Sequence, residues 1–559
     1  MIRARWLGRV PYREAWDLQR TLASRSEDDY LLLLEHPPVV TLGLHADPSH
    51  IRSDLGAAGI ERVEVDRGGD VTLHAPGQLV GYPVVSVGPG PHRGSAHVHR
   101  VEQVVLDALV ALGVPAERLG RLEGLPGIWF DVDTPGSTPR KVCAVGVRVS
   151  RGRTTHGFAL NVDPDLSLFD HIVPCGIADL GVTSLAAEGF ERSLPEVVDA
   201  LVEAAARHWG GLHDDARVVT GPSGLPAAAE RAEDGLDQRP APTQASASPV
   251  QPVALRRLRH AGVDPAAALP VATRKPDWLR APTTMGEGFL GLRRSLRELS
   301  LVTVCEEAGC PNISECWSDG TATFMINGDR CTRACGFCKV DTRRPLPLDP
   351  GEPVRVAEAV ARMGLAHAVI TCVARDDLAD GGAGAFAATI GALRRHAPGT
   401  RVEVLVSDFK GDPDALGLVI DARPDVLNHN LETVARLQQA ARPRAGYARS
   451  LTVLARAAEA GLSTKSGLIV GLGESDDEVV TALADLRAVG VEVVTIGQYL
   501  RPSAHHLPVV RWWTPDELAE LAEIGSALGF AHVQATPLTR SSYHARQAAD
   551  AAREVVVPA

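Results

Sequence analysis

Apolar and polar positions alternate in two different rhythms along the chain. In the first 213 residues, short apolar runs are separated by glycine-rich turns. YLLLLEHPPVVTLG, RVEVDRGGDVTLH and QLVGYPVVSVG read as strands. HRVEQVVLDALVALG and LPEVVDALVEAAARHWG carry apolar residues at helical spacing. This mixture predicts an α+β domain with a mostly antiparallel or mixed sheet. After about residue 272 the rhythm becomes βα. HAVITCVARDD, RVEVLVSDF, DVLNHNLE, TKSGLIVGLGE and VEVVTIGQYL are strand-like runs ending in polar or glycine residues. Helical stretches such as EPVRVAEAVARMG and DDEVVTALADLRAVG lie between them. Repeated βα units predict a parallel sheet, closed or partly closed into a barrel. In such folds the strand C-termini carry the chemistry.

Between these regions, residues 214–271 are rich in Pro, Ala, Ser and Gln and poor in large apolar side chains. Such a stretch buries too little surface to offset its ordering entropy and predicts a flexible linker. The expected layout is therefore 1–213, linker 214–271, and 272–559.

Composition narrows the classes of function. With 559 residues and a formal charge of -12, the chain is long enough for several cores and has no basic tract fit for nucleic acid. No run of about 18 apolar residues is present, so no membrane span is expected. The opening MIRARWLGRVPYREAW lacks the pattern of a signal peptide, which makes the cytoplasm the expected compartment. There cysteines serve more often as ligands or catalytic groups than in disulfides.

Six of the nine cysteines fall between Cys305 and Cys338, in two triplets. CEEAGCPNISECW has spacing C-x4-C-x5-C and CTRACGFC has spacing C-x3-C-x2-C. Neither matches paired zinc knuckles. Three thiolates suit a 4Fe–4S cube with one iron left to another ligand. A structural zinc site or unrelated buried thiols are the alternatives on spacing alone.

CTRACGFC resembles the signature of radical S-adenosylmethionine enzymes. CEEAGCPNISECW, RSSYHA, RKPDWLR, VARDDLADGG and TIGQYLRPS narrow the resemblance to the lipoyl synthases, over about residues 274–545. The resemblance implies a partial TIM-type (βα)6 barrel, two 4Fe–4S clusters, S-adenosyl-L-methionine, and a low-potential electron donor. Cys331, Cys335 and Cys338 match the ligands of the radical-generating cluster. Cys305, Cys310, Cys316 and a serine of RSSY, Ser542 rather than Ser541, match those of an auxiliary cluster that serves as sulfur source. An iron–sulfur assembly carrier is implied as a partner for that second cluster. Asp380, Gly381 and Gly382 correspond to a segment that contacts the methionine amino group, and equally fit a simple turn. Arg375 and Asp376 either line that site or form a surface ion pair. Asn428 and Asn430 alternate with His429 along a strand, so they share one side. Cys372 reads as a small buried packing residue. Asn327, Cys372 and Ala535 depart from the usual residues, and none is expected to touch a ligand.

In the first region RGGDVTLHAPGQ concentrates Arg67, Gly68, Gly69 and His74. Downstream come Lys141 and, in the same strand, Val145 and Gly146; then His156 and Gly157; then Cys175 between Pro and Gly. On residue type alone, Cys175 reads as either a structural thiol or a nucleophile activated by a nearby cation. The order RGG-x2-T-x-H-x-PGQ, K-x4-GVR, T-x-HG-x-A-x-NV and PCG resembles the lipoyl(octanoyl) transferases, within the lipoate-ligase/biotin-ligase fold. That resemblance implies a Cys175–Lys141 dyad that moves octanoyl from octanoyl-acyl carrier protein to a lysine. The acceptor lysine would belong to lipoyl domains of 2-oxoacid dehydrogenases or the glycine cleavage H protein. Arg67, Gly68, Gly69, His74, Val145, Gly146, His156 and Gly157 would shape the acyl pocket. Cys143 is expected to pack on the same side as Lys141 if their strand is regular.

Overall fold

The computed structural model describes residues 1–90, 92–177, 179–213, 252–280, 302–303, 310, 312–318 and 321–556. The chain divides into two compact units, Met1–Thr220 and Gly221–Ala559. The part of the expected linker from 214 to 251, and Cys305, lie outside the described residues.

In the first unit the strands are β1 (Ile2–Arg9), β2 (Asp29–Glu35), β3 (Val39–Leu42), β4 (Glu61–Glu64), β5 (Val71–His74), β6 (Gln78–Val84), β7 (Leu119–Leu122), β8 (Leu125–Phe130), β9 (Arg140–Ser150), β10 (Arg153–Asn161) and β11 (Gly181–Val182). The main sheet runs β1-β2-β6-β10-β9-β8-β7, with β11 on β9, and a small sheet runs β4-β3-β5. The sheet is mixed: β1 and β2 pair parallel, while β2, β6, β10, β9 and β8 pair antiparallel in succession. The run YLLLLEHPPVVTLG is split between the two sheets. Proline has no N–H to give a ladder, so Pro37-Pro38 ends β2 and β3 starts a new pairing.

Helices α1 (Tyr12–Arg25), α2 (Arg93–Ala111) and α3 (Leu194–His208) cover the unit. Leu31, Leu33, Leu79 and Leu160 of the sheet pack with Val101, Val105, Val197 and Leu201 of α2 and α3. A Ser193–Glu196 capping box, with Pro195 in the first turn, starts α3.

In the second unit, β12 (Val302–Thr303) pairs antiparallel with β13 (Thr321–Ile326). From there β14 (His367–Cys372), β15 (Arg401–Leu405), β16 (Val426–Asn428), β17 (Ser463–Val470), β18 (Val493–Gln498) and β19 (His532–Ala535) follow in sequential order, all parallel. Seven parallel strands are thus observed where six were expected. The first and last do not pair with each other among the described residues, so the barrel is open. Val402 and Val404 of β15 pack on the helical layer together with Val356, Phe386 and Leu416. Glu403, between them, faces the other way and is fully buried with Lys465 of β17, His367 of β14 and Asn428 of β16. Lys465 Nζ lies 3.0 Å from its carboxylate, and His367 and Asn428 lie at 3.2 Å.

Part of the stretch expected to be a linker is folded. Residues Pro252–His260 form helix α4, with Leu258 fully buried. Leu269 N donates to Val509 O at 2.8 Å. Two or three apolar residues at helical spacing in a polar stretch suffice to dock such a helix, and averaging the composition over 58 positions (214–271) hides them.

Candidate active sites

Every first-unit site residue named from the sequence lines one cavity of about 380 Å³. Arg67, Gly68 and Gly69 arrive on the loop after β4, and His74 closes β5. Lys141, Val145 and Gly146 come from β9, His156 and Gly157 from β10, and Cys175 from the turn Pro174–Gly176. Lys141 Nζ stands 3.6 Å from Cys175 Sγ and 4.6 Å from the Trp129 ring centre. The indole face thus holds the ammonium while its N–H groups remain available to the sulfur.

Cys175 sits in the left-handed region (φ 55°), an unfavourable conformation for a residue with a Cβ. Its neighbour Gly176 also has positive φ, and a Cβ there would stand 2.4 Å from Asp70 Oδ2. That carboxylate is fixed by His50 Nδ1 at 2.5 Å and by the backbone N–H of Val71 and Asp47 at 2.8 and 3.0 Å. The turn is therefore built around its glycine, and the thiol is only half-buried.

Cys143 has the opposite character. A register shift between Ile128 and Trp129 opposite it breaks the regular alternation of β9. Cys143 therefore lies in the hydrophobic core, and the regular placement beside Lys141 expected from the sequence does not hold. Burial pushes its thiol pKa well up.

The remaining wall is a ring of buried histidines and tyrosines. His156 Nε2 meets Asp66 Oδ1 at 2.8 Å and its Nδ1 meets the Tyr12 hydroxyl at 3.3 Å. His74 Nδ1 meets Gln78 Oε1 at 2.7 Å, and His36 Nε2 meets the Tyr82 hydroxyl at 2.7 Å. Burial holds all three imidazoles below the usual range, His36 at about 4, so they are neutral near pH 7. Arg67 donates to Thr41 O and Oγ1 at 2.8 Å, which pins it against β3 as part of the wall. Tyr12 and Tyr82, which line the cavity from α1 and β6, fall outside the motifs, as do His36, Asp66 and Trp129, which bond to or hold lining residues, and sequence reasoning missed all five. Asp70 lies inside RGGDVTLHAPGQ and lines the cavity too.

In the second unit Cys331, Cys335 and Cys338 lie on the loop leaving the C-terminal end of β13. The loop is fastened to two neighbouring strand ends. Thr332 N and Oγ1 donate to Ala374 O at 3.0 and 2.9 Å, and Asp376 N donates back to Thr332 Oγ1 at 3.0 Å. Arg333 is buried and binds both carboxylate oxygens of Asp376, at 2.9 and 2.8 Å, and Asp408 Oδ1 at 2.6 Å. Gly336 N donates to Ala441 O at 2.8 Å.

Burial pushes the Cys335 and Cys338 thiols up to about 12 and about 11, and the neighbouring thiols push in the same direction. Three sulfurs that repel one another's negative charge share a small volume, and a cationic centre would relieve that repulsion. Among the described residues, no three His, Cys, Asp or Glu side chains close on one point as ligands of a single ion do. Thiolates on one zinc ion would stand about 4 Å apart. A 4Fe–4S cube takes each thiolate at a different corner, which three thiols on one short loop suit.

The segment after β14 is built by the protein itself. Both Asp376 oxygens are taken by Arg333. Arg375 is buried and donates to Asp377 from Nε and Nη2 at 2.9 Å, and to Asn327 O at 3.0 Å. Neither is the exposed ion pair the sequence allowed, and both fasten loops around the cysteines. Asp380 accepts from Gly382 N and Gly384 N at 2.9 and 2.8 Å, starting helix α7 (Ala383–His396; α5 is Ile313–Ser318 and α6 Glu352–Met363). Gly381 and Gly382 have positive φ, and a Cβ on Gly382 would stand 2.4 Å from Asn327 Nδ2.

Asn327, expected to touch no ligand, donates to Gly382 O at 3.2 Å and its carbonyl accepts from Arg375, because its left-handed φ of 70° turns it off the end of β13 into the loop. Asn428 and Asn430 bond to Glu403 and Glu432, while His429 points to Ser450 on the helical layer. Cys372 packs against the barrel core, as its position in β14 predicts.

Of the first triplet, Cys310 and Cys316 are described and half-buried. The RSSY segment docks beside them. Asn312 Nδ2 donates to Leu538 O at 2.6 Å, and the Tyr543 hydroxyl donates to Glu315 at 3.0 Å. Leu538 and Tyr543, on either side of Ser541 and Ser542 in the chain, thus bond to neighbours of Cys310 and Cys316.

The lipoyl protein ligase A/B catalytic domain model matches residues 11–206, and the radical SAM superfamily model matches residues 325–486. Lipoyl synthase of Rubrobacter xylanophilus is 57% identical over 281 residues, covering 50% of this chain and 88% of that protein. Lipoyl synthase of Mycobacterium avium is 55% identical over 282 residues, 50% of this chain and 92% of its own. Among solved structures, the bi-partite lipoate protein ligase of Thermoplasma acidophilum aligns at 17% identity and TM-score 0.32, over 38% of this chain and 84% of its own. Methylornithine synthase aligns at 12% and TM-score 0.32, over 49% and 91%. Through its C-terminal half the chain belongs to the lipoyl synthase family, and it carries ahead of that half a catalytic domain of the lipoyl protein ligase A/B type.

Proposed function

We propose that the chain catalyses two consecutive steps of lipoate assembly. The first unit moves octanoyl from octanoyl-acyl carrier protein to a lysine of a lipoyl domain. The second inserts sulfur at carbons 6 and 8 of that chain. The observation that carries the first step is the 3.6 Å Lys141–Cys175 pair in one cavity. Cys175 Sγ attacks the carrier thioester as the thiolate paired with the Lys141 ammonium. The carrier sulfur leaves with a proton from Lys141 Nζ, and octanoyl rests on Cys175. The acceptor lysine then attacks as the neutral amine, its nitrogen gives a proton back to Lys141 Nζ, and Cys175 is released as the thiolate. A ligase reading, with ATP activating free lipoate, has no use for the Cys175–Lys141 pair.

In the second unit Cys331, Cys335 and Cys338 would hold one 4Fe–4S cluster; Cys305, Cys310, Cys316 and Ser542 would hold another. The first, with S-adenosyl-L-methionine, supplies the hydrogen abstraction that an unactivated C–H bond demands. Arg333 and Thr332 hold the ligand loop on the strand ends, and Gly381 and Gly382 keep the neighbouring loop free of side chains.

The test is anaerobic incubation of the full chain with octanoyl carrier protein, lipoyl domain, reductant and S-adenosyl-L-methionine, read by mass spectrometry. An octanoyl adduct on Cys175 followed by lipoylated domain is expected. Octanoyl transfer retained in full by Cys175→Ser sinks the dyad.

A further inference from the structure

Transfer of an acyl group from Cys175 to a lysine needs more than one proton acceptor. A lysine side chain is an ammonium near pH 7, its ordinary pKa being about 10.4. Its nitrogen loses one proton to become a nucleophile and a second when the amide forms. Lys141 Nζ, having protonated the carrier sulfur, takes one of the two. The other needs a second acceptor with a way to water.

Asp70 is the one carboxylate among the described residues that line the cavity. It stands beside the turn that carries Cys175. A Cβ on Gly176 would collide with Asp70 Oδ2 and come within 3.0 Å of His50 Cε1. The Asp70 carboxylate meets His50 Nδ1 at 2.5 Å and accepts from the backbone N–H of Val71 and of Asp47. An ionised carboxylate has about four acceptor positions, so one remains for a ligand. His50 is tied to the same turn: Val173 N donates to His50 O at 2.7 Å, and Ile51 bridges to Ile172. The His50 and Asp70 side chains are 27% and 15% exposed, so the pair leads from the cavity wall to solvent. Arg67 attracts Asp70 through space but spends its donors on Thr41 and Gly68 O. His74 and His156 are poor alternatives, because both are buried, bonded within the wall and held below the usual range. His45 lines the cavity as well, as an exposed residue.

We propose that Asp70 and His50 form a second proton path, which takes the ammonium proton of the acceptor lysine. The inference rests on octanoyl transfer at Cys175. The acceptor ammonium donates to Asp70 Oδ2 beside octanoyl-Cys175. Its proton crosses the carboxylate to His50 Nδ1, and the imidazolium sheds its Nε2 proton to water. The ring tautomers interconvert through solvent, and the freed amine attacks the thioester. One proton leaves the lysine and one reaches water, and no electron is gained or lost.

The test separates the two half-reactions in the full chain. The chain is charged with octanoyl-acyl carrier protein, the carrier is removed, and loss of the Cys175 adduct is followed by mass spectrometry. The acceptor is either a lipoyl domain or hydroxylamine, whose nitrogen is already neutral at pH 7 and needs no first deprotonation. In Asp70→Asn, transfer to the lipoyl domain should slow about 10²-fold more than Cys175 acylation does, and in His50→Gln about tenfold more. With hydroxylamine this split should vanish. A distorted Cys175 turn would instead slow acylation and both acceptors together. Equal slowing of both acceptors, or no split in either variant, overturns the proposal. So does a split that appears in His45→Gln and not in Asp70→Asn. His50→Gln, which leaves the Asp70 carboxylate in place, keeps the question answerable if Asp70→Asn fails to fold. A wild-type chain that takes no octanoyl on Cys175 overturns the transfer reading itself, and the second path with it.

Discussion

Cys175 and the triplet Cys331, Cys335 and Cys338 put one functional group to opposite uses, and their surroundings differ accordingly. A nucleophile has to lose its proton and meet a substrate. Cys175 accordingly has an ammonium at 3.6 Å, a strained backbone and partial exposure. A ligand's proton is displaced by the metal and released, so its protein surroundings need no cation. Cys335 and Cys338 accordingly sit where burial and neighbouring thiols raise their pKa, on a loop fastened by Arg333 and Thr332. Arg442, the cation that acts on Cys335, donates to Asn430 O, Leu431 O and Ser450 Oγ, and Arg333 within the loop binds Asp376 and Asp408. A cysteine's use is thus written less in its spacing than in what its nearest cation is bonded to.

The sharpest way to break this comparison is to exchange the losses. Cys175→Ala should lower octanoyl transfer by about 10³-fold or more. The same variant should process pre-octanoylated lipoyl domain at the wild-type rate. Cys335→Ala should do the reverse and lose about four irons per chain in anaerobic assay. Loss of both activities in either variant would show that the two units are not independent.

Next in size is a stability effect confined to the second unit. Lys465→Met removes the cation at 3.0 Å from the fully buried Glu403 and should destabilise that unit by about 3–5 kcal/mol, read in denaturant unfolding. Burial alone would raise Glu403, but Lys465 and His367 outweigh it and hold the carboxyl at about 2. Its folded pKa is below the unfolded value of about 4.3. The stability it contributes is therefore present above that value and is lost as pH falls toward 2. Wild-type stability should fall across that window, and the fall should be smaller in Lys465→Met. Lys141→Met follows, with octanoyl transfer reduced by about 10²-fold or more and Cys175 alkylated more slowly at neutral pH.

The sequence disclosed the two sites unequally. The first-unit motifs named ten residues that all prove to line one cavity, because each motif sits on a strand or turn facing the same space. The motifs did not disclose the His–Tyr ring. Tyr12 and Trp129 reach the cavity through the packing of α1 and β8, which no local pattern encodes. In the second unit CTRACGFC was legible, yet Arg333 inside it passed unremarked. Its meaning depends on Asp376 and Asp408, contributed by the loops after β14 and β15. The bonds of Asn327 were illegible for a related reason. A left-handed residue at a strand end turns its side chain out of the strand's alternation, and Asn tolerates that conformation better than an aliphatic residue. The docked helix α4 shows the converse limit, where average composition concealed a few well-spaced apolar residues.

The smallest effect is expected at the part the sequence missed. Tyr12 stands 3.3 Å from His156 through its hydroxyl and stacks on His74 with ring centres 5.7 Å apart. Tyr12→Phe keeps the ring and the stacking and removes one long hydrogen bond, at a cost of about 1 kcal/mol or less. If the His–Tyr ring only shapes the pocket, kcat for octanoyl transfer should stay within about threefold of wild type and the change should fall on KM for the acyl donor. His156 retains Asp66 at 2.8 Å, so its orientation should persist. A loss of kcat as deep as that of Lys141→Met would mean that the ring moves a proton during transfer. The Cys175–Lys141 pair would then be one part of a larger proton relay, and the contrast with the cysteine triplet would extend from one cation to a whole network.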